Sequence, residues 1–349
     1  MPDRAVGRVQ PLRLLRVLRT LTRPQAPRPQ GSGTGFSVRY PVLLTRRVPA
    51  AVMARLEAEC ELDLYEGREA IPRSELLARV AGKHALLCLL TDRVDAEVLD
   101  AGTSLRVVAN IAVGYNNIDL DACRARDVIV TNTPDVLTNA CADFTWALIL
   151  GITRRLGEAE RQLRRGDWKG WALDHMLGME LRGKRLGLVG VGRIGRAVAE
   201  RAPAFGMEVG YHARRPVDLV AEYLPLDRLL ATSDVVSLHC PLTPETHHLI
   251  DQKALTKMKR TAYLINTARG SVVDEAALAW GLQQRLIAGA ALDVYEKEPE
   301  VHPDLLRLEN VMLIPHIASA TTETRTAMAD LAVSNALAVL NGTRPLTPV

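Results

Sequence analysis

The 349-residue chain is 48% hydrophobic and 24% charged, a composition typical of a soluble globular protein with enough apolar residues for two cores. It contains no run of about 18 uncharged apolar residues, so we expect no membrane-spanning segment. Its five cysteines are scattered and form no CxxC pair, which argues against a disulfide framework or a zinc site and favours the reducing cytoplasm.

The first 36 residues carry most of the positive charge. Seven arginines stand there against one acidic residue, Asp3, a balance of +6; since the whole chain has a net charge of +4, the remainder is slightly acidic at −2. We therefore predict no nucleic-acid binding by the folded part. Arginine, proline and the glycine-rich residues 31–35 predict a disordered basic extension over residues 1–36. The alternative is an organelle transit peptide with an apolar helical face. That face would comprise Val9, Leu12, Leu15 and Leu18.

Residues 37–137 alternate between strand-like and helix-like patterns, which indicates parallel strands joined by crossover helices. The predicted strands are Tyr40–Leu44, Cys60–Leu64, Ala85–Leu89, Leu105–Asn110 and Val128–Val130. The predicted helices are Ala50–Glu59, Arg73–Val80 and Ala96–Ala101. A helix predicted over Thr322–Leu340 can return to this segment, so we assign residues 318–349 to the same flavodoxin-like substrate domain.

A long apolar helix is predicted to begin with Thr138 as its N-cap and to run to about Thr153. It is apolar on more than one face, so we expect it to be buried on both sides, at a domain junction or a subunit interface. A charged helical segment follows as far as Arg165. Trp168 and Trp171 then stand in a loop, a position typical of an interface anchor.

A second α/β pattern starts at Arg185, and its six strands predict a doubly wound sheet. The predicted strands are Leu186–Val189, Glu208–Tyr211, Val235–Leu238, Ala262–Asn266, Ala288–Leu292 and Val311–Ile314, with helices that include Arg193–Arg201 and Asp274–Gln284. We assign residues 138–317 to a Rossmann nucleotide-binding domain that includes the long helix and the tryptophan loop. The predicted fold class is therefore α/β, with two doubly wound parallel-sheet domains.

The first strand of the nucleotide-binding domain runs into a GxGxxG turn, made of Gly190, Gly192 and Gly195 with Arg193 and Ile194 between the last two. The first glycine allows the tight turn, the second lets the backbone approach a pyrophosphate, and the third lets the next helix pack closely on its strand. The helix N-terminus presents unpaired N–H groups and a partial positive charge to phosphates. With a strand before it and a helix after it, this turn predicts a dinucleotide site rather than a purely structural connection.

Arg269, Glu298 and His316, called the trio below, each follow one of three consecutive predicted strands. Ligands bind at the carboxyl ends of strands in such sheets, so these side chains can converge. A histidine can protonate the oxygen of a carbonyl that accepts a hydride, and a carboxylate can orient the imidazole and favour its protonated form. An arginine can bind a substrate carboxylate and polarise the adjacent carbonyl. The trio therefore predicts carbonyl reduction with a nicotinamide cofactor, although each residue alone could be an ordinary core or surface residue.

From about residue 38 onward the chain resembles the D-isomer-specific 2-hydroxyacid dehydrogenase family, and most of all its glyoxylate/hydroxypyruvate reductase (D-glycerate dehydrogenase) branch. The spacing of the trio, 29 and 18 residues, agrees with the family pattern. The resemblance implies two domains that close around the substrate and a homodimer formed through the long helix and the tryptophan loop, with Trp171 as a candidate for reaching the partner's active site. The stretches that carry it are the glycine turn, Val113–Asp119, Thr133–Thr138, Ile265–Gly270, Ala291–Pro299 and Pro315–Thr321.

The resemblance also implies roles for individual residues of the substrate site. The trio would act in catalysis: its arginine would also bind the substrate, its glutamate would tune the histidine, and its histidine would serve as acid and base. Val113 and Gly114 would donate backbone N–H groups to the substrate carboxylate. Leu90 would line the pocket from the first domain.

For the cofactor, the resemblance implies that Asp293 contacts the nicotinamide carboxamide and that Thr267 and Cys240 line the groove. After the second strand of the nucleotide domain, Arg214 and Arg215 stand where an acidic residue would hold the ribose hydroxyls of NAD. Arginines would pair with the 2′-phosphate that a carboxylate would repel. We therefore predict a preference for NADP(H), with NAD(H) possible; the alternative is that both arginines are solvated loop charges.

Residues and resemblance together predict a cytoplasmic reductase, without a metal ion, that uses NADPH to convert glyoxylate to glycolate and hydroxypyruvate to D-glycerate. Within the enzyme class, the alternative is D-3-phosphoglycerate dehydrogenase or another D-2-hydroxyacid dehydrogenase. The former is disfavoured because forms with a regulatory domain carry a C-terminal extension beyond the last helix. From another class, the alternative is a nucleotide-sensing protein similar to the corepressors of the family, which act by binding partners.

Overall fold

The computed structural model describes residues 39–349, so the predicted extension over residues 1–36 lies outside the described part of the chain. Two all-parallel sheets, of five and seven strands, organise these residues. The strands inside each sheet are almost fully buried, which is why they read as continuous apolar runs in the sequence, whereas the edge strands are partly exposed. The predicted fold class, two doubly wound α/β domains, is confirmed.

The first sheet has the strand order β2-β1-β3-β4-β5, the order of flavodoxin-like folds. Its strands are β1 (Tyr40–Leu44), β2 (Cys60–Leu64), β3 (Ala85–Cys88), β4 (Val107–Asn110) and β5 (Ile129–Thr131). Its helices are α1 (Ala50–Glu59), α2 (Arg73–Val80), α3 (Ala96–Ala101) and α4 (Leu120–Arg124). The sequence pattern missed α4, a five-residue helix that Asp119 caps by accepting a hydrogen bond from the Ala122 N–H. So short a helix leaves no clear hydropathy period.

The second sheet has the order β12-β11-β10-β9-β6-β7-β8, so the direction of winding reverses between β6 and β9. Its strands are β6 (Arg185–Val189), β7 (Glu208–His212), β8 (Glu222–Tyr223), β9 (Val235–Leu238), β10 (Tyr263–Asn266), β11 (Gly289–Leu292) and β12 (Val311–Leu313). Its helices are α7 (Arg193–Arg201), α8 (Leu226–Thr232), α9 (Gln252–Lys257) and α10 (Glu275–Gln283). Six strands were predicted, and the seventh is β8, an exposed two-residue edge strand too short to leave a pattern.

Helix α5 (Thr138–Thr153) is buried along most of its length and lies between the two sheets. Cys141 packs into the core of the first sheet, whereas Trp146 stacks on Phe205 in the second and donates its indole N–H to a backbone carbonyl at 3.0 Å. The prediction that Thr138 caps this helix is wrong. The residue at the cap is Leu137, no side chain caps the helix, and the Thr138 N–H bonds to a carbonyl of the preceding turn.

Two further helices complete the described chain. Helix α6 (Leu156–Arg164) follows α5 and ends one residue earlier than predicted. Helix α11 (Thr322–Leu340) returns to the first sheet, where Met328, Val333 and Ala336 pack into its core. Within residues 39–349, no helix combines the length and apolar character needed to cross a bilayer. All five cysteines are buried and unpaired.

Candidate active site

The glycine turn between β6 and α7 is formed by three glycines whose surroundings differ. Gly190 has a φ of +90°, and a Cβ there would lie 2.6 Å from the backbone nitrogen of Cys240. A Cβ at Gly195 would clash with the carbonyl of Gly190, whereas a Cβ at Gly192 would meet nothing within 4 Å. Gly190 and Gly195 therefore shape the turn, and Gly192 leaves open space before the N-terminus of α7. This arrangement fits a dinucleotide pyrophosphate, and that contact remains a prediction.

Three more residues were predicted to bind the cofactor. Arg193 and Ile194 belong to the glycine turn, and Thr267 lies beside α5. Arg193 forms an ion pair with Asp135 of the first domain at 2.6 Å, and Ile194 packs against the cores of both sheets. The hydroxyl of Thr267 lies 3.1 Å from that of Thr145 on α5. These side chains have protein partners in the structure, so their contacts with a cofactor remain predictions.

Arg214 and Arg215 are exposed in the loop that follows β7. This loop is adjacent to the glycine turn, because β6 and β7 pair in parallel and the Gly190 N–H donates to the carbonyl of His212 at 2.8 Å. Among residues 39–349, neither arginine has a carboxylate partner within 4.0 Å. Two cationic side chains thus stand next to the predicted position of the pyrophosphate, where an adenosine ribose with a 2′-phosphate would extend.

The structure brings the histidine and the glutamate of the trio together. The Nδ1 atom of His316 lies 2.7 Å from Oε2 of Glu298, and the other oxygen of Glu298 accepts the N–H of Tyr295 at 3.0 Å. Burial by itself would raise the pKa of Glu298, but His316, the N–H of Tyr295 and the charge of Arg269 together lower it more, so the pKa lies below its ordinary value. Carboxylate contact at Nδ1 directs Nε2 away from Glu298, the orientation needed for proton transfer to a ligand.

Arg269 is a partly buried cation without an anionic partner in the described chain. Its Nη1 atom donates to the carbonyl of Ala268 at 2.7 Å, and its Nη2 atom contacts Gly114, where a Cβ would clash with the guanidinium. Burial lowers the pKa of Arg269, and the charge of Glu298 opposes that shift. An arginine nevertheless stays protonated, so this guanidinium favours an anion from outside the chain.

Val113 and Gly114 lie beside that guanidinium in the loop after β4. Asn132 donates to the carbonyl of Val113 and Asn110 to that of Gly114, both at 2.8 Å. Within residues 39–349, the backbone N–H groups of Val113 and Gly114 make no hydrogen bond. Two amide donors without protein partners thus lie next to a guanidinium, a donor set suited to a carboxylate.

Sequence reasoning missed both asparagines that hold these carbonyls. Asn110 is the last residue of β4 and Asn132 follows β5, so both stand at the carboxyl edge of the first sheet. The signal that could have found them is a polar residue at the end of an apolar strand. Leu90, which was predicted to line the pocket, follows β3 at the same edge and is 37% exposed.

Asp293 lies behind His316 and is fully buried. One carboxylate oxygen accepts the N–H of Ile317 at 2.8 Å and the other that of Ala318 at 2.9 Å. Burial raises the pKa of Asp293 above its ordinary value, although the two N–H groups oppose the shift. The carboxylate thus fixes the backbone that follows His316, whose φ of +52° is unusual for a residue with a side chain. The contact of Asp293 with the nicotinamide carboxamide remains a prediction.

A doubly wound sheet with this glycine turn faces a second domain that offers donors for a carboxylate next to a histidine–glutamate pair. No group of three potential metal-ligand side chains with suitable geometry occurs in the described range. Fold and site together define a nicotinamide-dependent oxidoreductase of 2-hydroxy or 2-keto acids.

Comparison with known proteins gives the family. Residues 146–318 match the family described as D-isomer specific 2-hydroxyacid dehydrogenase, NAD binding domain. A relative named glyoxylate reductase, from Thermofilum pendens, is 49% identical over 314 residues, which cover 87% of this chain and 92% of the relative. The protein belongs to the D-isomer specific 2-hydroxyacid dehydrogenase family, as the sequence resemblance predicted.

Solved structures agree with this assignment. A protein from Thermus thermophilus superposes with a TM-score of 0.85 at 48% identity, over 88% of this chain and 99% of the other. The NADPH-dependent glyoxylate/hydroxypyruvate reductase from Sinorhizobium meliloti, solved with NADP and malonate, gives a TM-score of 0.80 at 37% identity, over 89% and 97%.

Proposed function

We propose that the protein reduces glyoxylate to glycolate and hydroxypyruvate to D-glycerate, with NADPH as the preferred hydride donor. The observation that carries the proposal is the partly buried guanidinium of Arg269, which contacts Gly114 and lies near the His316–Glu298 pair. The names of the relatives, glyoxylate reductase among them, support the same substrates. We place the enzyme in the cytoplasm because its five cysteines are all unpaired.

The geometry suggests how the residues divide the work. Arg269 and the N–H groups of Val113 and Gly114 hold the substrate carboxylate, so the neighbouring ketone or aldehyde carbon is oriented toward the nucleotide groove. NADPH, when bound there, supplies a hydride to that carbon. His316 gives the proton on Nε2 to the carbonyl oxygen, and Glu298 at Nδ1 stabilises the imidazolium before the transfer. The hydride and the proton together convert the carbonyl to the alcohol.

The test is an assay of 2-keto acids with both coenzymes, in which the oxidation of NADPH or NADH is followed by absorbance. We expect the highest kcat/KM with glyoxylate or hydroxypyruvate and NADPH, and less activity with bulkier keto acids. Highest activity with 3-phosphohydroxypyruvate would favour D-3-phosphoglycerate dehydrogenase instead. If no 2-keto acid is reduced with either coenzyme, the reductase proposal is wrong and the nucleotide-sensing binding protein becomes the better explanation.

The coenzyme preference should depend on Arg214 and Arg215. Replacing both by alanine is expected to raise KM for NADPH about tenfold or more, since each removes a charge-assisted contact with the 2′-phosphate, and to leave KM for NADH nearly unchanged. Arg228→Ala is the matched control, because it removes the same charge from an exposed position on α8. An equal change in KM for the two coenzymes would show that both arginines are solvated loop charges. A wild-type enzyme whose kcat/KM for NADH equals that for NADPH would show the same.

We also propose that the protein is a homodimer. An unusually apolar exposed patch follows α5 along the chain, in which Trp171 and Leu173 are both 82% exposed. Exposed apolar surface of this extent is typical of a protein interface. In a dimer, the loop could bring Trp171 to the partner's active site. The other members of the patch are Leu156, Leu163, Trp168 and Leu177.

Light scattering after size-exclusion chromatography tests the dimer. The wild-type mass should be near twice the 38.2 kDa of one chain, whereas the double variant Leu163→Glu, Leu173→Glu should elute as a monomer, because it places charges in the patch. Trp171→Ala separates the second role: if this residue reaches the partner's site, KM for the keto acid rises while the dimer persists. A monomeric wild type at micromolar concentration would contradict both ideas.

A further inference from the structure

We propose that Glu275 and Glu296 are positioning residues, which clamp the loop carrying Glu298 onto the segment carrying Arg269. This inference rests on the proposed function, because it assigns a role in the same site. Neither residue belongs to the trio. Both glutamates line a cavity of about 370 Å³ that no member of the trio lines. The two side chains would therefore influence the trio through the backbone that they hold.

The clamp consists of two reciprocal hydrogen bonds. The N–H of Glu275, at the start of α10, donates to Oε1 of Glu296 at 2.8 Å, and the N–H of Glu296 donates to Oε1 of Glu275 at 2.6 Å. The second oxygen of Glu275 accepts the N–H of His302 at 3.1 Å. Glu275 is only 6% exposed, so its carboxylate is shielded from water, and the N–H groups of Glu296 and His302 would lose their partner if it were removed.

The clamp lies two residues from Glu298 along the same loop. The N–H of Tyr295 donates to Glu298, and the next N–H along the chain, that of Glu296, donates to Glu275. A shift of this short backbone stretch would therefore move the carboxylate that contacts His316. Because proton transfer depends on sub-ångström placement, a small shift has a large effect on rate.

The same backbone stretch also touches the arginine segment. A Cβ on Gly270, the residue after Arg269, would clash with the carbonyl carbon and oxygen of Tyr295. A third loop joins at His248, whose Nε2 lies 3.1 Å from Oε2 of Glu296 and whose backbone N–H donates to the carbonyl of Ser271 at 2.8 Å. The loops after β9, β10 and β11 are thus tied together at the side chains of Glu275 and Glu296.

Steady-state kinetics of single variants test the clamp. Glu275→Ala and Glu296→Ala are each expected to lower kcat by about 10- to 100-fold, with KM for NADPH almost unchanged, because the nucleotide groove is not altered. Glu296→Gln should recover most of the rate, since its amide oxygen can still accept the Glu275 N–H. Glu300→Gln is the matched control: it alters an exposed acid of the same loop without a side-chain partner among the described residues.

The pH profile separates positioning from a general loss of stability. If the clamp holds Glu298 on His316, the alkaline fall of kcat begins at lower pH in the alanine variants, because the carboxylate no longer favours the imidazolium. Unchanged kcat and an unchanged profile would overturn the proposal, as would a lower Tm with wild-type kcat per folded molecule. Should the alanine variants fail to fold, Glu275→Gln serves instead, since its amide group opposes the His302 N–H and breaks one contact.

Failure of the proposed function would be recognised separately. In that case the wild-type protein reduces no 2-keto acid. The clamp, by contrast, is tested by comparing each variant with the wild type. With an inactive wild type, the clamp is read from the NMR chemical shifts of the His316 imidazole. These shifts should differ from wild type in the Glu296→Ala protein but not in the Glu300→Gln control, and equal shifts in all three proteins would overturn the clamp.

Discussion

Replacing His316 by glutamine is expected to lower kcat about 10²- to 10⁴-fold, the range over which a positioned acid contributes to a reaction. The Kd of NADPH should stay almost the same, since the glycine turn and the arginines of the β7 loop are untouched. Stopped-flow kinetics would measure the hydride step and fluorescence titration the Kd. His84→Gln is the control, because His84 precedes β3 and therefore lies at the amino end of the first sheet, opposite the ligand edge.

The pair of His316 with Glu298 also contributes to the pH dependence of stability. Because the pKa of Glu298 lies below its ordinary value in the folded protein, the pair stabilises the fold at pH values above the ordinary carboxyl pKa, and that contribution is lost as the pH falls through the lowered pKa. Glu298→Gln should remove this part of the acid-induced loss of stability and also lower kcat. Urea unfolding at several pH values would measure it. Wild-type kcat in both His316→Gln and Glu298→Gln would exclude the pair from catalysis.

Replacing Arg269 by alanine should damage both binding and turnover, because the guanidinium holds the carboxylate in the ground state and polarises the carbonyl in the transition state. Loss of two charge-assisted hydrogen bonds corresponds to about 3–6 kcal/mol, so kcat/KM should fall roughly 10²- to 10⁴-fold. Arg269→Lys should recover only part of the activity, since an ammonium cannot form the two-pronged contact. KM and kcat for the favoured keto acid would be measured with each variant.

Gly114→Ala tests the same contact from the other side. The new methyl group would displace the guanidinium of Arg269, so the variant should lose much of its kcat/KM without loss of the arginine. Its Tm should stay close to that of the wild type, because the atom it meets is the end of a flexible side chain. If Gly114→Ala and Arg269→Ala are both as active as the wild type, the carboxylate is not bound at this place.

The sequence predicted where the trio would lie in the fold better than it predicted the contacts of its members. Strand ends placed Arg269, Glu298 and His316 at one sheet edge, and the structure pairs the last two. The contact of Arg269 with Gly114 could not be predicted from the pattern, because it joins two sheets whose relative placement depends on packing through α5. The partners of Asp293 were also unforeseen, since its carboxylate binds backbone N–H groups, which leave no mark in the sequence.

The sequence was enough to predict most of the helices and strands, the parallel sheets and the glycine turn, although it missed α4 and β8. Each depends on local physics: buried parallel strands need continuous apolar runs, and a positive φ at the turn needs glycine. Which side chains meet became visible only in the folded protein, among them the reciprocal pair of Glu275 and Glu296 and the asparagines that hold the carbonyls beside Arg269. Such contacts join residues far apart in the chain, so they exist only once both domains have packed and buried polar groups have found partners.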